Sequence, residues 1–411
     1  MKCRFCKNED LISFLDLGSS PPSNANIKME QLDFPEVYYP LRTVVCKKCF
    51  LVQTEDYLKS SELFEETYTY FSSASKSWLT HSKLYVDMIK QRLNLHNKSF
   101  VVEIASNDGY LLKNFQDSDI PCLGIEPTRS TAEECRKKGI QVYEDFFSKK
   151  LSIELVEKYG KADLVVGNNV FAHVPDVNDF IQGVDYILKD EGTVTLEFPH
   201  ILQLIIQNQF DTIYHEHFSY FSFHVVCEIF RKNGLKVYDV EKIETHGGSL
   251  RIFGCKNTSN KKIVNRVDQL LKEETDFGLQ KIETYAGVQP EIQQLKLRII
   301  NYFISQKLLG KRIYGYGAAA KGNTLLNYCG LNKDIIELIF DAAPSKQYKS
   351  TPGSRIPIYD PDQIADLPTP DIMVIFPWNI KSEIISVLRG IDELKDIDVV
   401  TLIPDLKVTN L

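Results

Sequence analysis

The stretch SFVVEIASNDGYLLKNF, Ser99 to Phe115, opens on an apolar run, breaks at small and polar residues, and resumes with helical spacing. It reads as a strand, a turn and a helix. An open α/β sheet places its first ligand loop at such a turn, beyond the carboxyl end of a strand. The general pattern there is acidic-x-Gly-x-Gly-x-Gly. In this chain Glu103 is the acid and Gly109 the last glycine, while Ala105 and Asn107 occupy the other two glycine positions. Asparagine is the substitute best able to enter the left-handed region, and alanine is still small.

Reading outward, CLGIEP is a second strand ending at Glu126, whose two carboxylate oxygens can accept both hydroxyls of a ribose. IQVYEDFF leads to Asp145 and Phe146, a polar group and an aromatic placed to sit beside an adenine. ADLVVGNNVFAHVPD is a fourth strand, with Asn168 at its end and His173 in the loop that normally faces the transferred group. A capping or core-facing role for His173 is the alternative. With GTVTLEFP and the intervening helical segments, the rhythm is that of a doubly wound sheet. Acidic groups at the first two strand ends suit a ribose and a cationic cofactor better than a pyrophosphate. The expectation is S-adenosylmethionine rather than NAD, held by Glu103, Ala105, Asn107, Gly109, Tyr110, Glu126, Asp145, Phe146 and Asn168.

The flanks differ from this centre. Near the start, Cys3 and Cys6 form one CxxC pair and Cys46 and Cys49 another, with the turn-rich DLGSSPPSNANIK between them. Four thiolates in two knuckles suit a closed, structural tetrahedral zinc that replaces a core too small to stand alone. Two chance pairs or a redox dithiol are the competing readings. Beyond a mainly helical connection rich in Lys, Glu and Gln, KRIYGYGAAAKGNTLLNYCG again reads as strand, glycine turn and helix. The divisions expected are residues 1–75, 76–260 and 261–411. Gly315-x-Gly317-x-x-Ala320, with Asp341 at the next strand end, is a passable dinucleotide fingerprint and leaves an NAD-linked reductase open.

The 411 residues carry a net charge of −7, which gives no footing for nucleic-acid or anionic-membrane binding. No apolar run reaches the roughly 18 residues of a membrane span, and the start lacks a signal-peptide core, so a cytoplasmic protein is expected.

TIYHEHFSYFS, Thr212 to Ser222, sets His215 and His217 around Glu216. On a strand the two histidines would share a face, and on a helix they would point apart. Metal-binding spacings such as HExxH are absent, which favours an acid/base cluster or a buried polar one. The CxxC pairs, VEIASNDGYLL, TIYHEHFSYFS and GYGAAAKGNTLLNY, in this order, resemble the bacterial sugar C-methyltransferases. That resemblance spans nearly the whole chain. It implies a zinc domain, a central class I methyltransferase domain and a C-terminal Rossmann-like domain without its own redox cofactor. The implied reaction is methylation of C3 of a nucleotide-linked 4-keto-deoxysugar. It further implies His217 as general base, Tyr214 as acid or enolate donor, Glu216 as partner of substrate or base, and His173 as a second active-site histidine. Tyr68 matches an N-terminal active-site tyrosine, with Tyr70 near enough to substitute in register, and Lys321 is placed to meet a substrate phosphate. His215 is expected to be structural. O- or N-methylation of a sugar nucleotide, or a non-catalytic binding protein, are the alternatives, and a monomer or weak oligomer is expected.

Overall fold

The computed structural model describes residues 1–58 and 71–411. The central sheet has seven strands in the order Leu235–Ile243, Ser249–Lys256, Leu188–Pro199, Ala162–Asn168, Val101–Ile104, Cys122–Ile125 and Val142–Tyr143. All run parallel except Ser249–Lys256, which is antiparallel to both neighbours. Val101–Ile104 reads VVEI because both faces are covered; every residue in it is buried, Glu103 included. The helix Lys76–Leu93 packs beside this sheet. Ser75 caps its start by accepting from the Trp78 N–H at 3.3 Å, and Asn94 ends it in the left-handed region at φ 53°.

The N-terminal sheet is antiparallel and runs Leu11–Ser20, Tyr39–Cys46, Val52–Thr54 and then Ser219–Tyr220. Its fourth strand therefore comes from the YHEHFSYFS segment, with Ser219 opposite Gln53 and Tyr220 opposite Val52. The C-terminal sheet has six strands, parallel except for the last, Lys407–Asn410. A two-stranded ribbon, Ile27–Lys28 against Lys349–Ser350, ties the first unit to the third.

The helix Val288–Leu308 explains how the units share a core. It buries Val288, Ile292, Leu295, Ile299 and Phe303, a stripe at three- and four-residue spacing. One cluster joins that stripe to Phe14 and Val45 of the first sheet, Ile201 and Ile213 of the central unit, and Ile313 and Val374 of the last. The chain segments around 200–220 thus lie where all three units meet. Among the described residues, no helix is long and apolar enough to cross a membrane.

Candidate active site

A cavity of about 1120 Å³ opens at this junction. It exceeds the space a single drug-sized ligand normally takes. Its walls include the carboxyl ends of the central strands, the start of the helix Lys76–Leu93, the YHEH turn, and Ala319 to Lys321 of the last unit. Four of the eight histidines line it: His81, His173, His217 and His246.

On the central side, Ala105 and Asn107 both adopt positive φ, 58° and 49°, the backbone that the glycines of the general pattern supply. The Asn107 and Thr128 N–H groups donate to the two oxygens of Glu126, each at 2.9 Å. A carboxylate has further lone pairs, so both oxygens can still accept from a diol. Burial pushes the Glu126 pKa up, against these two backbone bonds. Asn168 is buried at the cavity wall with neither its amide oxygen nor its nitrogen bonded. A buried amide left unbonded in this way is completed by a ligand or by water. Tyr110, Asp145 and the exposed Phe146 complete this lobe. Glu103 and Gly109 do not line it. Glu103 lies beneath the loop, its carboxyl held well above the usual range by burial and by Asp108 and Glu126. Gly109, at φ 77°, passes so close to Cys135 that a Cβ would come within 2.6 Å of the sulfur.

The YHEH segment is neither strand nor helix but a turn, closed by the His217 N–H donating to the Tyr214 carbonyl at 2.9 Å. Its two histidines diverge. His215 points to the N-terminal sheet, with Nε2 3.3 Å from the Pro40 carbonyl. His217 faces the cavity, its ring centroid 4.0 Å from that of Tyr214 and 4.7 Å from that of His173. The His217 Nδ1–H donates to the Thr212 carbonyl at 2.9 Å, which fixes Nε2 as the basic nitrogen. His173 is set the same way by the Glu216 carbonyl, at 2.8 Å. Burial, then the neighbouring His173, holds His217 well below the ordinary histidine range, so it is neutral and able to take a proton.

Glu216 receives both of its hydrogen bonds from the Asn24 amide, 2.9 and 2.7 Å, across the boundary with the first unit. Burial pushes its pKa up to about 7, the Asn24 bond opposing. The folded protein therefore keeps this proton where the unfolded chain has lost it, and stability falls as pH rises from about 4.5 to about 7. Glu216→Gln should be more stable than wild type at pH 8 by up to about 3 kcal/mol and no different at pH 4. Thermal melts of both proteins at the two pH values measure this.

Lys321, in the first turn of the helix Ala320–Cys329, reaches the cavity instead of solvent. Its ammonium donates to Asn379 Oδ1 at 2.7 Å and lies 4.7 Å from the Trp378 ring centroid. Trp378 in turn donates to the buried Asp211 at 2.7 Å. Asp341 is occupied by its own loop, accepting from the Ala318 and Ala343 N–H groups at 2.7 and 2.8 Å. The Gly317 position is filled by Pro377, which a Cβ there would meet at 2.4 Å. Tyr68 and Tyr70 lie outside the described residues.

The four cysteines converge at the edge of the first unit, their sulfurs all within 4.8 Å of one another and two pairs at 3.5 Å. A tetrahedral site with Zn–S of about 2.3 Å needs sulfurs about 3.8 Å apart, so the set fits zinc. The two knuckles share one geometry. Lys7 and Phe50, each one residue past its second cysteine, have φ 61° and 63° and donate back to the Cys3 and Cys46 carbonyls.

Several site residues gave no signal in the sequence. Asn24 sits in a turn-rich loop that names no partner. Arg4, inside the first knuckle, is buried and donates at 3.2 Å to the carbonyls of Phe218, Pro175 and Thr54. Trp78 and His81 stack at 4.8 Å on one face of a helix whose periodicity alone was readable. His81 contacts Glu197 at 2.9 Å, and Glu197 is held by Arg251. His246 had a usable cue, the two glycines that follow it.

Across 385 residues, 94% of this chain and 91% of the relative, the sequence is 33% identical to the C-methyltransferase NovU of Streptomyces niveus. The chain belongs to the C-methyltransferase family. Family models agree in order: a zinc binding domain over residues 3–64, a methyltransferase domain over 81–240, and a C-methyltransferase C-terminal domain over 244–404. Among solved structures, it is similar to an S-adenosylmethionine-dependent methyltransferase from Clostridium acetobutylicum (12% identity, TM-score 0.36, 43% of this chain and 92% of that one). It is also similar to magnesium protoporphyrin IX methyltransferase from Synechocystis with bound SAH (15% identity, TM-score 0.35, 44% of this chain and 83% of that one). The enzyme is an S-adenosylmethionine-dependent methyltransferase with a zinc-binding N-terminal domain.

Glu126, with lone pairs left on both oxygens, and Asn168, with its amide unbonded, are residues that could hold such a cofactor. Replacing Glu126 with Gln removes the negative acceptor, and a hydrogen bond to a charged group contributes about 1.5–3 kcal/mol. The dissociation constant of S-adenosylhomocysteine should rise about 10- to 100-fold, read by calorimetry, with the melting temperature little changed.

Proposed function

We propose that the enzyme methylates C3 of a nucleotide-linked 4-keto-deoxysugar through a base-generated enolate. The observation that carries this reading is His217. It is a neutral imidazole with Nε2 fixed as acceptor, set between the cofactor lobe and Lys321, with Tyr214 and His173 against it. A C–H bond becomes acidic only where a neighbouring carbonyl can take up the charge, and a 4-keto group does so for C3. His217 Nε2 removes the C3 proton, and the electron pair moves onto the keto oxygen. Tyr214 donates to the substrate beside the base, and Glu216, positioned by Asn24, meets a hydroxyl or amine of the sugar. His173 orients the base from its other face, and Tyr68, with Tyr70 as its alternative in register, is assigned as the N-terminal active-site tyrosine. Lys321 pairs with a substrate phosphate. When bound, S-adenosylmethionine supplies an electrophilic methyl carbon, and holding it against C3 is a matter of proximity.

In this reading residues 1–75 cover the substrate, 76–260 carry the cofactor and the base, and 261–411 receive the nucleotide diphosphate. The cavity volume supports two ligands at once. The test is solvent exchange. Incubated in D2O with S-adenosylhomocysteine and dTDP- or UDP-linked 4-keto-deoxysugars, the enzyme should wash deuterium into C3 without methyl transfer. Methylation of a panel substrate with no exchange at C3 would assign O- or N-methyl transfer instead.

A further inference from the structure

The turn Thr245 to Gly248 joins the strands Leu235–Ile243 and Ser249–Lys256, and its backbone is unusual for a histidine. His246 sits at φ 54°, ψ 23°, followed by Gly247 at φ 87° and Gly248 at φ 113°. The left-handed region costs a residue with a Cβ roughly 1–2 kcal/mol, and such strain persists where the surroundings impose it. Here they do. Gln209 donates to the Gly247 carbonyl at 2.8 Å, and the Trp378 ring lies so close that a Cβ on Gly247 would meet it at 2.2 Å. The turn is thereby held between the central and C-terminal units, and it delivers the imidazole of His246 into the cavity wall.

Its surroundings define what that imidazole offers. It lies edge-on to Trp78, centroids 5.4 Å apart, and beside Asn169, at the end of the strand that carries Asn168. Its Nε2 is 3.2 Å from Asn169 Nδ2, so Nε2 accepts and the proton resides on Nδ1. Burial, then the charge of Lys321, lowers its pKa to about 4, so the ring is neutral at physiological pH. The Nδ1–H makes no hydrogen bond among the described residues, while Lys321 stands near enough for its charge to act on His246 and on His217. A neutral N–H donor that cannot readily lose its proton, fixed by a strained turn in the cavity wall, is suited to stabilising an oxyanion. A preorganised donor of this kind has no reorganisation to undergo as the charge develops.

We propose that His246 is a catalytic hydrogen-bond donor to the keto oxygen that takes up charge as C3 is deprotonated, a role that rests on the enolate reading above. The balance is simple. The C3 proton passes to His217 Nε2, the C3–H electron pair becomes the enolate, and the Nδ1–H of His246 shares its proton with the enolate oxygen without transferring it. No redox partner is required.

The substitution that tests this is His246→Asn, because asparagine tolerates positive φ better than histidine and folding is preserved. The melting temperature should be unchanged or higher, and S-adenosylhomocysteine should bind within about threefold of wild type. Turnover at saturating substrates should fall about 100- to 1000-fold, as it does when one oxyanion donor is removed, with C3 deuterium exchange falling in parallel. Wild-type turnover and exchange in His246→Asn would overturn the role. So would a tenfold loss of S-adenosylhomocysteine affinity with turnover at saturation intact, which would make His246 a cofactor contact. Wild-type enzyme that exchanges no C3 deuterium on any panel sugar overturns the enolate reading itself, and this proposal with it.

Discussion

His217→Ala should lower turnover about a thousandfold while S-adenosylhomocysteine binds within a few-fold of wild type. A positioned general base contributes roughly 10²- to 10⁴-fold. The upper half of that range is appropriate here because the neighbours offer no ready substitute. His173, the nearest histidine, is held in its own orientation by the Glu216 carbonyl, which keeps its ring in place when His217 is removed. The lobe proposed for the cofactor contains Glu126, Asn107 and Asn168, none of them bonded to His217. Steady-state kinetics paired with calorimetry separate the two effects. Activity that survives within a few-fold would move the base to another residue. Because the folded pKa of His217 is depressed, its basic form persists well below pH 6.5, and an acid limb near 6.5 would not belong to it.

Cys46→Ser should reach the active site as well as the metal. A closed site of four cysteines takes no part in chemistry, and from the sequence its loss would affect zinc content and solubility more than rate. The structure gives it a longer reach. Cys46 ends the strand that pairs with Val52–Thr54, and Thr54 donates through its hydroxyl to the His217 carbonyl at 2.5 Å and through its N–H to the Phe218 carbonyl at 3.1 Å. Arg4, between Cys3 and Cys6, bonds Phe218 on one side and Pro175, two residues from His173, on the other. Zinc binding to structural sites contributes on the order of 10 kcal/mol to folding of the unit it organises. Cys46→Ser should therefore lose most of its zinc by metal analysis and melt well below wild type. Its remaining soluble fraction should turn over at least tenfold more slowly, although S-adenosylhomocysteine still binds. Full specific activity in zinc-free protein would show that the YHEH turn holds its shape alone.

The central fold was legible because the signals are local. Val101–Ile104 and Ala162–Asn168 are continuous, mostly buried apolar runs, and the small residues after the first mark a turn whatever surrounds it. The cysteine pairs were legible for the same reason: four thiols at knuckle spacing have few other uses. Glu103 and Gly109 show the limit of a motif. Both occupy the expected places in the pattern, yet one lies under the loop and the other serves its packing against Cys135. What could not be read were pairings made at a distance. Asn24 with Glu216, Arg4 with Phe218 and Thr324 with the Ile213 carbonyl are separated by 192, 214 and 111 residues, and no periodicity announces them. The YHEH turn shows this most clearly. Spacing offered a strand or a helix, and the answer was set by a sheet edge contributed by residues 52–54.

The pairing of Ser219 with Gln53 also bears on how the enzyme is made. During synthesis the first sheet must wait for its fourth strand until more than half the chain has been made, and the same segment then takes a bond from Thr324 in the last unit. Contacts so far apart in sequence are closed late, after the local ones. On the function proposed above, the cofactor lobe, built from neighbouring strand and loop, can take shape while His217 is still unplaced. Catalytic competence is thus a property of the finished chain, and a nascent or truncated molecule would hold a methyl donor with no means of using it.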